Sequence, residues 1–202
     1  MRLRRMYPIV AFIVAGVFFA GNGFSQEAKK PEASTQEIME AAWVKAAARG
    51  EQHKRLEAMA GTWEMKGKSW MDPSAEPMVW GGTASRKMIL GGRFLHEEVA
   101  SEMMGEVFTG LGLLGYSNLT GKYCYVWLDN MSTGIMVSEG TCDEKGAVYT
   151  FVGEYDDAMT GGKQKAKVVL TVVDPNTQLF EMYMIGPDGK EAKSMESTYT
   201  KK

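Results

Sequence analysis

Two hydrophobic periods divide this chain, and the change between them falls at Gly61-Thr62-Trp63. Before it, apolar residues recur at helical spacing. Ile38, Ala41, Ala42 and Ala46 follow Ser34, which has Glu37 three residues on, the pattern of a capping box. A second short helix is expected from Glu51 to Met59, with Leu56, Met59 and Ala60 on one face. Neither stripe is apolar enough to make a core of its own. The segment 34–60 is therefore expected to lay its Leu56/Met59 face over one end of whatever Trp63 begins.

From Gly61 the period is two. Strands are predicted near 62–70, 78–90, 93–101, 106–116, 122–129, 133–141, 147–154, 164–173, 178–186 and 191–200. Their connectors carry turn chemistry, such as Asn118-Leu119-Thr120-Gly121 and Pro187-Asp188-Gly189. Gaps this short pair sequence neighbours as hairpins, and no helical stretch interrupts them. A parallel βαβ sheet is excluded. The fold class is all-β, an antiparallel up-and-down meander over 61–202. It closes into a barrel or folds as a sandwich. Closure is favoured because some strands are apolar on both faces, with Val107, Leu111 and Leu113 alternating with Phe108 and Leu114. Glycines at 110, 112 and 115 also suit a strongly curved sheet. A barrel of eight or more strands has room inside for side chains or one small ligand.

The first residues have another grammar. Arg2, Arg4 and Arg5 precede an apolar run from Ile9 to Ala20, with small residues at Gly23 and Ser25. This reads as a signal peptide over 1–25, cleaved before Gln26, followed by a polar, disordered tether over 26–33. The protein is expected to be exported, periplasmic or extracellular, with no membrane attachment once the leader is removed. Export permits a disulfide between Cys124 and Cys142. A hairpin joining Leu128 to Ile135 would put those two on opposite faces, so two separate thiols are at least as good a reading.

Among 202 residues the formal charge is −2, which gives no global attraction for nucleic acid. Gly is abundant at 23 and Pro scarce at 6, in keeping with a sheet protein.

A Gly-x-Trp at the head of a meander resembles the entry motif of lipocalin-like barrels. Further landmarks are His53-Lys54-Arg55-Leu56, Gly91-Gly92-Arg93-Phe94-Leu95, Gly110-Leu111-Gly112 with Gly115-Tyr116, Trp127-Leu128-Asp129 and the ending Glu196-Ser197-Thr198-Tyr199-Thr200-Lys201. Together, and in this order, they resemble the bacterial domain-of-unknown-function family 1579, over about three quarters of the chain. The resemblance implies a lipocalin-like barrel of about ten strands and an exported habit, but no activity. It also implies a structural closure in which a basic side chain of the last strand crosses the entry Trp. Gly61, Trp63 and Lys201 would form it, with Lys201 where the family usually has Arg.

Candidate chemistry is sparse. The chain has only two histidines, His53 and His96, and no metal-ligand spacing or nucleophile elbow, which argues against an enzyme. No cofactor is predicted. Haem remains an alternative, because the lipocalin-like nitrobindin family binds it through a His and His96 would serve if its face points inward. Glu97 and Glu98, adjacent on a strand, point to opposite faces and cannot act as an acid–base pair. Methionine is frequent at 16 residues. Met182 and Met184 share one strand face, as core or cavity lining or, less simply, as soft ligands for Cu(I). Tyr123, Tyr125 and Trp127 form an aromatic stripe. Facing inward, it would line a cavity for a mostly apolar ligand; facing outward, it would be a docking surface. Arg93, if inward, could meet a ligand carboxylate. The expected function is the binding of a small lipophilic molecule by Arg93, Tyr123, Tyr125, Trp127, Met182 and Met184. The alternative is a filled barrel acting as an interaction or structural module.

Overall fold

Helices α1 (Thr35–Ala47) and α2 (Glu51–Ala58) lead into ten antiparallel strands in a computed structural model that describes residues 33–72, 74–103, 105–157 and 160–202. The expected leader over 1–25 and nearly all of the tether over 26–33 lie outside the described residues. The strands are β1 (Gly61–Ser69), β2 (Met78–Ile89), β3 (Phe94–Met103), β4 (Glu106–Ser117) and β5 (Lys122–Asp129). They continue as β6 (Met136–Cys142), β7 (Val148–Asp157), β8 (Gly162–Asp174), β9 (Thr177–Ile185) and β10 (Glu191–Lys201). Each pairs with its sequence neighbour, and β1 also pairs with β10, so the sheet is a closed barrel rather than a sandwich. Closure leaves no strand edge open to another chain.

Register follows the alternation of the sequence. Buried positions fall on every second residue: Trp63, Met65 and Gly67 on β1, Leu95, Glu97 and Val99 on β3, Ala166, Val168 and Leu170 on β8. The β5–β6 hairpin pairs Trp127 with Met136. In that register Cys142 faces in with Met136 and Ser138, while Cys124 faces out opposite Glu139. The two thiols are free.

The barrel has unlike ends. At one end α2 docks by Leu56 and Met59, both almost fully buried in a cluster with Leu95, Leu114, Tyr123 and Tyr149. Polar ties fix it there. Arg55 donates to the Glu144 carbonyl in the β6–β7 turn at 3.4 Å. His53 is buried and accepts from the Gly50 N–H at 3.0 Å, capping α2 with a neutral ring nitrogen. Burial, then the nearby Arg49 and Arg93 charges, lower the His53 pKa, which suits that acceptor role.

Only α2 serves as a plug. In α1 the Ser34/Glu37 capping box is present, but no side chain of the helix is buried. Asn118, in the β4–β5 turn, caps its far end, donating to the Ala48 carbonyl at 2.7 Å and the Ala46 carbonyl at 3.1 Å.

The seam between β1 and β10 is where the first strand meets the last. Trp63 is fully buried and pairs across the seam with Lys201. Its indole N–H donates to the Met59 carbonyl at 3.1 Å, joining the seam to the end of α2. The Lys201 ammonium lies 5.4 Å from the centre of the Trp63 ring. To reach it, the side chain passes over Gly61, where an added Cβ would stand 2.7 Å from Lys201 Cε and where φ is +138°. Any other residue at 61 would be strained and would block that path.

Candidate functional site

The interior has three levels. Under α2 lies a packed floor of Leu56, Met59, Leu114, Tyr123, Tyr149 and Leu170. Tyr123 and Tyr149 meet edge to face with centroids 5.1 Å apart. Burial pushes both phenols above their ordinary pKa.

Above the floor sits a polar girdle. Arg86 of β2 and Glu97 of β3 both face inward, paired by register at Arg86↔Glu97. The Arg86 Nε donates to Glu97 Oε1 at 2.7 Å, and Nη2 approaches the same oxygen at 2.7 Å. Nη1 donates to Gln178 Oε1 at 2.5 Å. Three groups that would be costly alone are thus buried together with their bonds made. Burial by itself would lower the Arg86 pKa, but the Glu97 carboxylate, joined by Tyr199 and Tyr125, raises it on balance. The guanidinium also lies 4.4 Å from the Tyr199 ring centre and 5.6 Å from that of Trp63. Trp63 is therefore flanked by two cations, one from each neighbouring strand.

The third level is the mouth opposite α2. Here Trp80, Phe108, Tyr125, Trp127, Phe180, Met182, Met184 and Met195 point inward but are only half buried. The Trp127 ring stacks on Phe108 with centroids 6.4 Å apart, and its N–H donates to Asp129 at 2.9 Å. Tyr155 donates from its hydroxyl to the Met184 sulfur at 3.1 Å. The large rings are seated on glycines. An added Cβ at Gly110 would stand 2.3 Å from the Trp127 ring, and one at Gly67 would stand 2.3 Å from the Trp80 ring. At the level of the girdle lies a cavity of about 30 Å³, walled by Met59, Leu114 and Leu170 of the floor and by Arg86, Glu97, Gly112, Tyr125 and Phe180. That is enough to hold a water or a small polar head. Burial, and then the Glu97 charge, push the Tyr125 phenol well above its usual pKa, so it stays a neutral hydroxyl at this cavity.

Tyr123, Tyr125, Trp127, Met182 and Met184 all face the interior, Tyr123 in the floor and the other four toward the mouth. Arg93 does not join them. It stands in the turn before β3, at the plugged end, and donates from Nε to the Ala47 carbonyl at 2.9 Å and from Nη1 to the Leu90 carbonyl at 3.3 Å. It holds the helix linker rather than facing the cavity. The inward cation is Arg86, which sequence reading passed over. On β2 it shares a face with Ala84, two positions away, but only the structure shows that this face is the inner one.

His96 pairs with Lys87 and Leu113 on the outer wall, and its Nδ1 is 3.7 Å from Glu98 Oε1. His53 is occupied in α2. The interior therefore offers no imidazole to a haem iron, and these residues do not fit a His-ligated haem. Among the described residues no group of three His, Cys, Asp or Glu side chains could hold a metal ion. Glu97 and Glu98 do point to opposite faces, one buried and one exposed.

A sequence profile described as "Protein of unknown function (DUF1579)" matches residues 48–201. No curated protein matches the sequence. Among solved structures, the barrel is similar to Rv2717c from M. tuberculosis, with a TM-score of 0.56 at 12% identity, covering 77% of this chain and 99% of that one. A de novo designed fluorescence-activating β-barrel aligns with a TM-score of 0.42 at 11% identity, covering 73% of this chain and 96% of the design. Another barrel, solved bound to DFHBI, gives 0.42 at 9% identity, covering 75% and 100% of the two chains.

Proposed function

The chain belongs to the DUF1579 family of proteins of unknown function, and from that premise we propose that it binds a small lipophilic molecule through the mouth of its barrel. One observation carries the reading. The end under α2 is closed by buried side chains, whereas the opposite end presents inward-facing rings and thioethers that the protein leaves half covered. Aromatic and Met side chains around a one-ended opening make an adaptable apolar site with few polar handles. Met182 and Met184 of β9 and Trp127 of β5 stand across it from one another, and Tyr125 supplies a hydroxyl deeper in. The test is native mass spectrometry, with lipid extraction, of protein purified from its own host. A co-purifying lipophilic molecule is the expected result. A clean ligand-free mass, together with no binding of an environment-sensitive dye, would remove the reading.

Export belongs to the same proposal. Residues 1–25 serve as a leader, and the working protein is periplasmic or extracellular. N-terminal sequencing of the exported fraction should begin at Gln26; a mature chain that keeps Arg2 to Arg5 would contradict it.

A second reading has its own support on the outer surface. Leu111 and Leu128, paired across β4 and β5, are exposed, as are Val107 and Val137. On α1, Trp43 is 73% exposed and Ile38 and Val44 stand free beside it. Docking would use these aliphatic and helical positions, since the aromatic stripe is inside. Sedimentation velocity of the wild type and of Trp43→Ser, alone and with host extract, tests this: identical profiles leave the surface without a role.

A further inference from the structure

The girdle contains one carboxylate oxygen with nothing to do. Both Arg86 contacts fall on Glu97 Oε1. Among the described residues no donor reaches Oε2. That oxygen lies against Gly112, where an added Cβ would stand 3.0 Å from it, so glycine at 112 is what lets the Glu97 side chain take this position. Glu97, Gly112 and Tyr125 line the cavity of about 30 Å³ at the girdle, which Met59, Leu114 and Leu170 close from the floor.

Resting on the lipophilic-ligand reading, we propose that the ligand's polar end is an uncharged hydrogen-bond donor, a hydroxyl, that seats on Glu97 Oε2 while its apolar body runs out through the mouth. Three physical arguments select this class. Arg86 and Glu97 already neutralise one another, so the girdle offers no unbalanced cation to attract an acid. A carboxylate would bring a third charge beside a like-charged oxygen in a poorly solvated place. An ammonium would meet Glu97 but also the Arg86 charge, and would leave a net charge buried. A hydroxyl adds a bond to an ionised acceptor that is otherwise unused, and it alters no existing one.

Four probes with the same ten-carbon-class tail test it: decanol, decyl methyl ether, decylamine and decanoate, each titrated calorimetrically into the delipidated full chain. Decanol is expected to bind about tenfold or more tightly than the other three, the ratio that one charge-assisted hydrogen bond supplies. Gly112→Ala places a methyl against Oε2 and should bring decanol down to the level of the ether, leaving the ether itself little changed. Should that variant fail to fold, Glu97→Gln, which keeps the shape but removes the ionised acceptor, should narrow the same gap. Decanoate or decylamine binding as tightly as decanol would overturn the head-group assignment and leave the lipophilic reading standing. So would an ether equal to decanol. If none of the four binds, the lipophilic reading falls and takes this one with it.

Discussion

At the scale of single residues, Trp63 ties together the end of α2, β2 and β10. Its ring is fully buried, its N–H is satisfied by Met59, and the Arg86 and Lys201 charges lie near its ring. Trp63→Ala should destabilise the barrel by roughly 3–5 kcal/mol, read from urea denaturation. An effect of a few tenths would contradict the seam as described. The Arg86–Glu97 pair behaves differently, because its worth depends on which partner is removed. Arg86→Met leaves the Glu97 charge buried and unpaired, for an expected loss of about 3–5 kcal/mol. Adding Glu97→Leu should recover most of that loss, since an apolar pair of similar volume needs no solvation. A double variant as unstable as the single one would mean that Gln178 and Tyr199, rather than charge balance, set the cost.

At the scale of elements, α2 is a plug with a titratable cap. His53 has a pKa lowered mainly by burial, so the folded chain prefers it neutral while the unfolded chain binds its proton more readily. The sign follows: stability held above the ordinary histidine pKa of about 6.5 is lost as pH falls through and below it. His53→Gln keeps an acceptor at the third position of α2 and should flatten that slope, measured as melting temperature against pH. An unchanged slope would assign it to other groups. By contrast α1, which buries nothing, is joined to the barrel through backbone carbonyls taken by Asn118 and Arg93.

At the scale of the whole molecule, closure turns the interior into one cooperative unit. The phenols of Tyr123, Tyr125, Tyr149 and Tyr199 are all raised, first by burial, and come from three different strands. Below the ordinary tyrosine pKa of about 10 the folded and unfolded chains bind these protons equally. Above it the unfolded chain releases them and the folded chain does not, so stability falls as pH rises. Tyrosinate absorbance from these four should therefore appear together with loss of the sheet signal in circular dichroism. Ionisation well before unfolding would mean that water reaches the floor.

The sequence by itself determined the ten strands, their order and which residues share a face. Turn chemistry and a period of two are local properties, and in a meander local pairing is nearly all the topology there is. Register parity even separated Cys124 from Cys142, and the Gly-x-Trp opening with the family landmarks indicated closure. What a period of two leaves open is which of its two faces is the inner one, and only the tertiary structure decided that. It turned Tyr125 and Trp127 inward and His96 outward, and it moved the interior cation from Arg93 to Arg86. Arg93 follows two glycines at the plugged end, where the chain has not yet entered the alternation of β3, so no strand pattern governs its direction. Arg86 reads as a surface residue until Glu97 and Gln178, 11 and 92 positions away, are brought to it. Long-range pairing of charge has no local signature, and in this barrel it defines the level at which a ligand would rest.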